Sequence, residues 1–167
     1  MDLLQDFITW AWARHHNILS WYIRPLCLIP FCYFAYARRL SGVVLTLLAL
    51  LSSMFWFPEP DVVSPAVASA LAIERDYLLG PWAPWKLAVA LLVPASLAAL
   101  AVTFWRRSLL LGLILVNLIA VAKVAWTAVF FATDGFVAHL LPAVAGLLVC
   151  NAAFLFGYWR YRRRSKP

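Results

Sequence analysis

Residues 87–131 read LAVALLVPASLAALAVTFWRRSLLLGLILVNLIAVAKVAWTAVFF, and the Arg106-Arg107 pair in the middle decides how the chain folds. On either side lies an apolar stretch near the roughly 20 residues that a helix needs to cross a hydrocarbon core. Lys and Arg at span ends are retained in the cytoplasm, so the stretch reads as a helical hairpin whose turn faces inward. The pattern repeats outward from there. Arg38-Arg39 and the tail Arg160, Arg162, Arg163, Arg164 and Lys166 form two more basic junctions. All seven acids, Asp2, Asp6, Glu59, Asp61, Glu74, Asp76 and Asp134, fall in the segments between. The charge pattern thus predicts an all-α, polytopic protein of the cell inner membrane with five transmembrane helices, an outer N-terminus and a cytoplasmic C-terminus.

The predicted spans cover about 17–37, 40–57, 87–105, 109–131 and 136–158, in one membrane domain over 1–167. Residues 3–13 are too short to span and suit an amphipathic helix in the outer interface. Met54-Phe55-Trp56-Phe57-Pro58 is an aromatic belt stopped by proline. In the outer loop 58–85, Ser64-Pro65 reads as N-cap and N1 and Gly80-Pro81 as a stop, predicting a helix over 65–79. Thr133-Asp134-Gly135 reads as a tight outer turn, and 159–167 as a basic cytoplasmic tail. Met1-Asp2-Leu3-Leu4-Gln5-Asp6 has no cationic n-region, against a cleavable signal.

Composition agrees: 65% of the residues are hydrophobic and 13% charged, against about 25% charged in soluble domains. The net charge of +7 lies at cytoplasmic span ends, where topology and anionic lipid account for it, so no nucleic-acid partner is implied. Cys27 and Cys32, about 140° and about 7.5 Å apart on one helix, cannot bridge. There is no internal repeat of the inverted kind found in many transporters.

Two cations escape the topological explanation. Arg24 and Lys123 each lie well inside an outer span end, at similar depth on two helices. Charges at such depth face the bundle and have a partner, or snorkel to the headgroups. At 100° per residue, Val67, Ala70, Leu71, Glu74 and Leu78 share a stripe, so the loop helix carries Glu74 inward while Asp76 points away. A buried carboxylate must pair or take up a proton, which makes Glu74 the natural partner of Arg24 or Lys123. The candidate ligand-binding set is therefore Arg24, Glu74 and Lys123, with Arg75, His16 and His139 around it. His15 and His16 diverge on a helix and no HxxxH or HExxH spacing occurs, so neither metal nor cofactor is expected. Asn117 and Asn151, at similar depth in spans four and five, predict an interhelical hydrogen bond.

Five spans, this size and nine tryptophans resemble the tryptophan-rich sensory protein (translocator) family in gross architecture. Trp82-Ala83-Pro84-Trp85 does not match that family's Trp-Pro-Pro signature, and no residue role carries over. With no P-loop, GxSxG or GxGxxG present, the sequence points to binding or translocation of a lipid or small anionic molecule near the outer leaflet. Headgroup chemistry with Glu74 as general base is one variant. The other classes are a non-catalytic subunit of a larger membrane complex and a homo-oligomeric channel, although no span shows the polar face a pore needs. The expected partners are membrane lipids, with a homo-oligomer or larger complex as the protein alternative.

Overall fold

A computed structural model describes residues 3–130 and 133–164. The chain is all-helical among these residues, with no strands. In order come α1 (Leu3–His15), α2 (Leu19–Leu26), α3 (Leu28–Tyr36), α4 (Leu40–Ser52, extended by a 3-10 turn Ser53–Phe55), α5 (Pro65–Leu79), α6 (Pro84–Trp105), α7 (Leu109–Phe130) and α8 (Thr133–Arg164).

Among the described residues three helices are long and apolar enough to cross a membrane: Pro84–Trp105, Leu109–Val129 and Ala138–Arg160. The expected first two spans are less regular. Pro30 has no N–H for the Leu26 carbonyl, and the helix is interrupted at Cys27 between α2 and α3. Leu40–Phe55 is a shorter apolar helix, about 24 Å long against a hydrocarbon core of about 30 Å. Ser52 and Ser53 turn their hydroxyls back onto the Ala49 and Leu50 carbonyls where its last turn tightens. Five full crossings are therefore not established by length and composition alone.

The helix expected over 3–13 forms as α1. α1 meets the α2–α3 segment at 88°, exposes Leu3, Leu4, Phe7 and Ile8, and is pinned to the end of α4. Phe7 and Trp10 pack on Phe55, and Arg14 and Asn17 donate to the Phe57 and Pro58 carbonyls. The turn expected at Thr133-Asp134-Gly135 is instead the first turn of α8. The connection itself falls at 131–132, outside the described residues.

The two Arg-Arg junctions share one construction. Arg38 and Arg107 take positive φ, 56° and 60°, the left-handed position at a helix C-terminus that glycine usually occupies. Arg38 N–H donates to Ala35 and Arg39 N–H to Phe34; Arg107 N–H donates to Phe104 and Ser108 N–H to Thr103. This is a Schellman closure in both hairpins. Each then packs a phenylalanine onto a glycine of the following helix. A Cβ on Gly42 would stand 2.3 Å from Phe34, and one on Gly112 would stand 2.5 Å from Phe104. The junctions also interlock, since Arg38 Nε donates to the Trp105 carbonyl and Arg107 lies 5.8 Å over the Tyr36 ring. They occupy one end of the molecule, as the charge pattern requires.

Two apolar clusters hold the bundle. The inner one joins Phe31, Cys32 and Ala35 of α3 to Val43, Leu100, Phe104, Val116 and Cys150. Asn117 and Asn151 link α7 to α8 by reciprocal amide bonds of 2.9 and 3.1 Å, as expected. The outer cluster docks α5, with Val67, Ala70 and Leu71 against Trp21 and Ala138.

Candidate functional site

α5 forms where the sequence placed it. Ser64 Oγ accepts the Val67 N–H, Pro65 opens the first turn and the helix stops at Gly80. Its buried stripe covers Val67, Ala70 and Leu71, but Leu78 is 42% exposed, which corrects the expected stripe. Beyond Glu74 the helix is tied differently. Lys86 of α6, itself buried, donates its ammonium to the Tyr77 and Gly80 carbonyls and lies 4.5 Å from the Tyr77 ring. A cation on the final carbonyls satisfies a helix C-terminus, so the last turn leans on α6 through Tyr77 rather than on the bundle through Leu78. Sequence reading missed Lys86 because it stands at a predicted span end, where an exposed lysine is ordinary.

Glu74 reaches the bundle through a residue that was not selected. His15, at the end of α1, is only 3% exposed, and its Nε2 lies 3.7 Å from Glu74 Oε2. On its other side, Arg24 Nη2 donates to His15 Nδ1 at 3.1 Å. Because a guanidinium can only donate, Nδ1 must carry the lone pair and the proton sits on Nε2, facing the carboxylate. The order is Arg24, His15, Glu74, with imidazole as the link. Trp21 Nε1 donates to the His15 carbonyl, and the rings of Trp12 and Trp21 flank the imidazole. One sequence signal for His15 existed: Ala11, four residues earlier, is the small residue through which α1 approaches the bundle, and both are buried.

His139 of α8 joins the group, its ring 4.5 Å from that of Trp21 and tilted against it. Lys123 lies within electrostatic reach of both Arg24 and Glu74, and no described carboxylate is within ion-pair distance of it. Burial pushes the Glu74 pKa up. The nearby His15 imidazole N–H and the positive charge of Arg24 outweigh it and hold the carboxyl below its ordinary value.

Four of the six expected site residues therefore converge: Arg24, Glu74, Lys123 and His139. His16 and Arg75 do not join them. His16 Nδ1 meets the Trp12 carbonyl of its own helix at 2.9 Å. With Arg75 and Asp76 it lines a separate open cleft of about 290 Å3 between α1 and α5. They diverge because neighbours on a helix are 100° apart, so His15 faces inward and His16 outward. An apolar groove of about 300 Å3 lies between α7 and α8, lined by Val121, Val124 and Ala143 among others. It takes a different face of α7 from Lys123. Among the described residues no group of three His, Cys, Asp or Glu side chains is placed to hold a metal ion. Neither a protein-family model, nor a curated protein, nor a solved structure matches this chain.

Proposed function

We propose that the chain is a five-pass protein of the cell inner membrane, with its N-terminus outside and its C-terminus in the cytoplasm. In this reading it binds or translocates a lipid or small anionic molecule at the outer-leaflet cluster of Arg24, Lys123, His15 and Glu74. The observation that carries the reading is the charge balance of that cluster. Two cations, Arg24 and Lys123, share one described carboxylate, Glu74, and Arg24 has its hydrogen bond to a neutral imidazole rather than to that carboxylate. A site with one cation in excess takes an anion, because an uncompensated charge at this depth is costly. The orientation rests on the interlocked Arg-Arg turns, which lie away from the cluster.

Titration with short-chain dihexanoylphosphatidylglycerol tests the site, read by tryptophan fluorescence because Trp21 touches His139 in the cluster. Saturable binding, absent for dihexanoylphosphatidylcholine and lost in Arg24→Gln and Lys123→Met, is expected. Equal response to both lipids, or binding indifferent to both substitutions, refutes the proposal. Single-cysteine labelling tests the topology: a Cys at position 61 should react from outside in intact cells, and reaction only after permeabilisation inverts it.

A second reading, a subunit of a larger membrane assembly, is favoured by α4. A helix shorter than the bilayer gains from neighbours, and α4 exposes Leu45, Leu48 and Leu51. Native-gel migration with another membrane protein, abolished by Leu48→Lys, would support it.

A further inference from the structure

We infer that the Arg24–Lys123 site opens sideways between α6 and α7 into the outer leaflet, and that its ligand is an anionic phospholipid of the bilayer rather than a water-soluble anion. This rests on the anion-site reading above and adds the route and the ligand class.

Helices α6 and α7 pack closely at the inner end and less closely part-way toward the outer end. Phe104 of α6 sits on Gly112 of α7, and Leu100 and Val116 are buried in the same cluster. Counting outward from the Phe104–Gly112 contact, the antiparallel register sets Val93 opposite Lys123, about 16 Å along both helices. There the packing ends. Leu97 is half-buried, whereas Val93 is 61% exposed and every residue from Ala90 to Ala95 is exposed. Pro94 stands at that boundary. Lys123 shares its helix face with Gly112 and Val116, which lie eleven and seven residues earlier, about 20° to either side. Those two are buried and Lys123 is accessible. An accessible cation on the same face of α7 that packs against α6 through Gly112 and Val116 points toward the space between the two helices.

The walls of this gap have the character of an amphiphile. Ala90, Val93 and Leu97 line the α6 side with hydrocarbon, and Lys123 supplies positive charge at the depth where Arg24 also lies. Tyr77 of α5 closes the outer end, in edge contact with Trp85 of α6 and Trp126 of α7. Its hydroxyl is buried and has no hydrogen-bond partner among the described residues, an expense a folded protein seldom leaves unused. A donor without an acceptor, packed on Trp126 one helical turn beyond Lys123, matches a phosphate. The water side is obstructed by the last turn of α5, which Lys86 ties to α6 and Tyr77 to Trp126, so the bilayer is the open approach.

The test needs no destabilising change. The photoreactive residue p-benzoylphenylalanine is placed at Val93 or at Leu91, at similar depth and about 160° around α6, in nanodiscs of phosphatidylglycerol mixed equally with phosphatidylcholine. The expected result is phosphatidylglycerol captured about fivefold over phosphatidylcholine at Val93, the ratio that about 1 kcal/mol per cation provides, with no preference at Leu91. Lys123→Met should bring the Val93 ratio to about one, and Tyr77→Phe should lower it. Equal ratios at both positions, or capture of a second copy of the chain at Val93, overturn lateral lipid entry. If Val93 shows no preference while glycerol phosphate in solution changes tryptophan fluorescence in a Lys123-dependent way, the anion site stands and the lipid route falls. Failure of both overturns the anion site as well.

Discussion

Replacing Glu74 with Gln measures how α5 is clasped to the bundle, and the geometry sets the size of the effect. Were the site dry, removing the carboxylate would cost about 3–5 kcal/mol. The site is not dry: the Glu74 side chain is 38% exposed while His15 is 3% exposed. At 3.7 Å, two unit charges interact by about 4.5 kcal/mol at an effective dielectric of ~20 and about 1.1 kcal/mol in water. A neutral imidazole donor and a half-exposed acceptor lie near the lower figure, so Glu74→Gln should cost about 1–2 kcal/mol. The coupling has a direction as well as a size. Because Arg24 reaches Glu74 through His15, a double-mutant cycle of Glu74→Gln with His15→Gln should show about 1 kcal/mol of interaction. The cycle with Arg24→Gln should show less. The assay is denaturant or thermal melting of the purified protein in detergent at neutral pH, followed by tryptophan fluorescence. Strict additivity for His15 and Glu74, or stronger direct coupling of Glu74 to Arg24, refutes the ordered chain.

In the same melting assay, Leu71→Asp should destabilise by several kcal/mol, because it places an unpaired charge at a fully buried position, whereas Asp76→Asn on the wet face should be nearly silent; equal tolerance would show that α5 is not docked. Gly112→Ala should cost about 1–3 kcal/mol, since its Cβ would meet Phe104 at 2.5 Å and that ring is stacked on Phe154; an unchanged melting temperature would mean the hairpin is looser than described. The depressed Glu74 pKa predicts stability that is fully present above the ordinary carboxylate pKa of about 4.3 and is lost as pH falls through the lower folded value. Melting temperatures from pH 6 to about pH 3 should therefore drop less in Glu74→Gln than in the parent, and parallel curves would remove Glu74 from the acid limb.

Charge and hydropathy exposed much of this fold before any coordinates, because the bilayer leaves a chain few options. The Arg-Arg junctions, the helix α1, the Ser64-capped α5 and the Asn117–Asn151 bond each follow from a local rule that tertiary packing did not override. The candidate site was legible in part. Arg24, Lys123 and Glu74 stood out as misplaced charges, which requires only their depth and helical phase. His15 did not, since its role depends on the 88° meeting of α1 with α2, a long-range geometry that no periodicity carries. Leu78 failed for a similar reason: helical phase put it on the buried stripe, but Lys86 pulls the last turn of α5 toward α6. The short α4 and the exposure of Val93 also lie beyond hydropathy, because an apolar residue reads alike whether it faces a helix, a lipid or a cleft.

Native mass spectrometry of the protein released from mixed phosphatidylglycerol and phosphatidylcholine membranes tests the central claim most directly. The parent protein should retain phosphatidylglycerol in preference to phosphatidylcholine, and the combined Arg24→Gln, Lys123→Met variant, folded by its melting curve, should lose that preference. Retention of both lipids in the proportion supplied, or a preference that survives loss of both cations, would contradict the assignment of Arg24 and Lys123 as an anion-binding site.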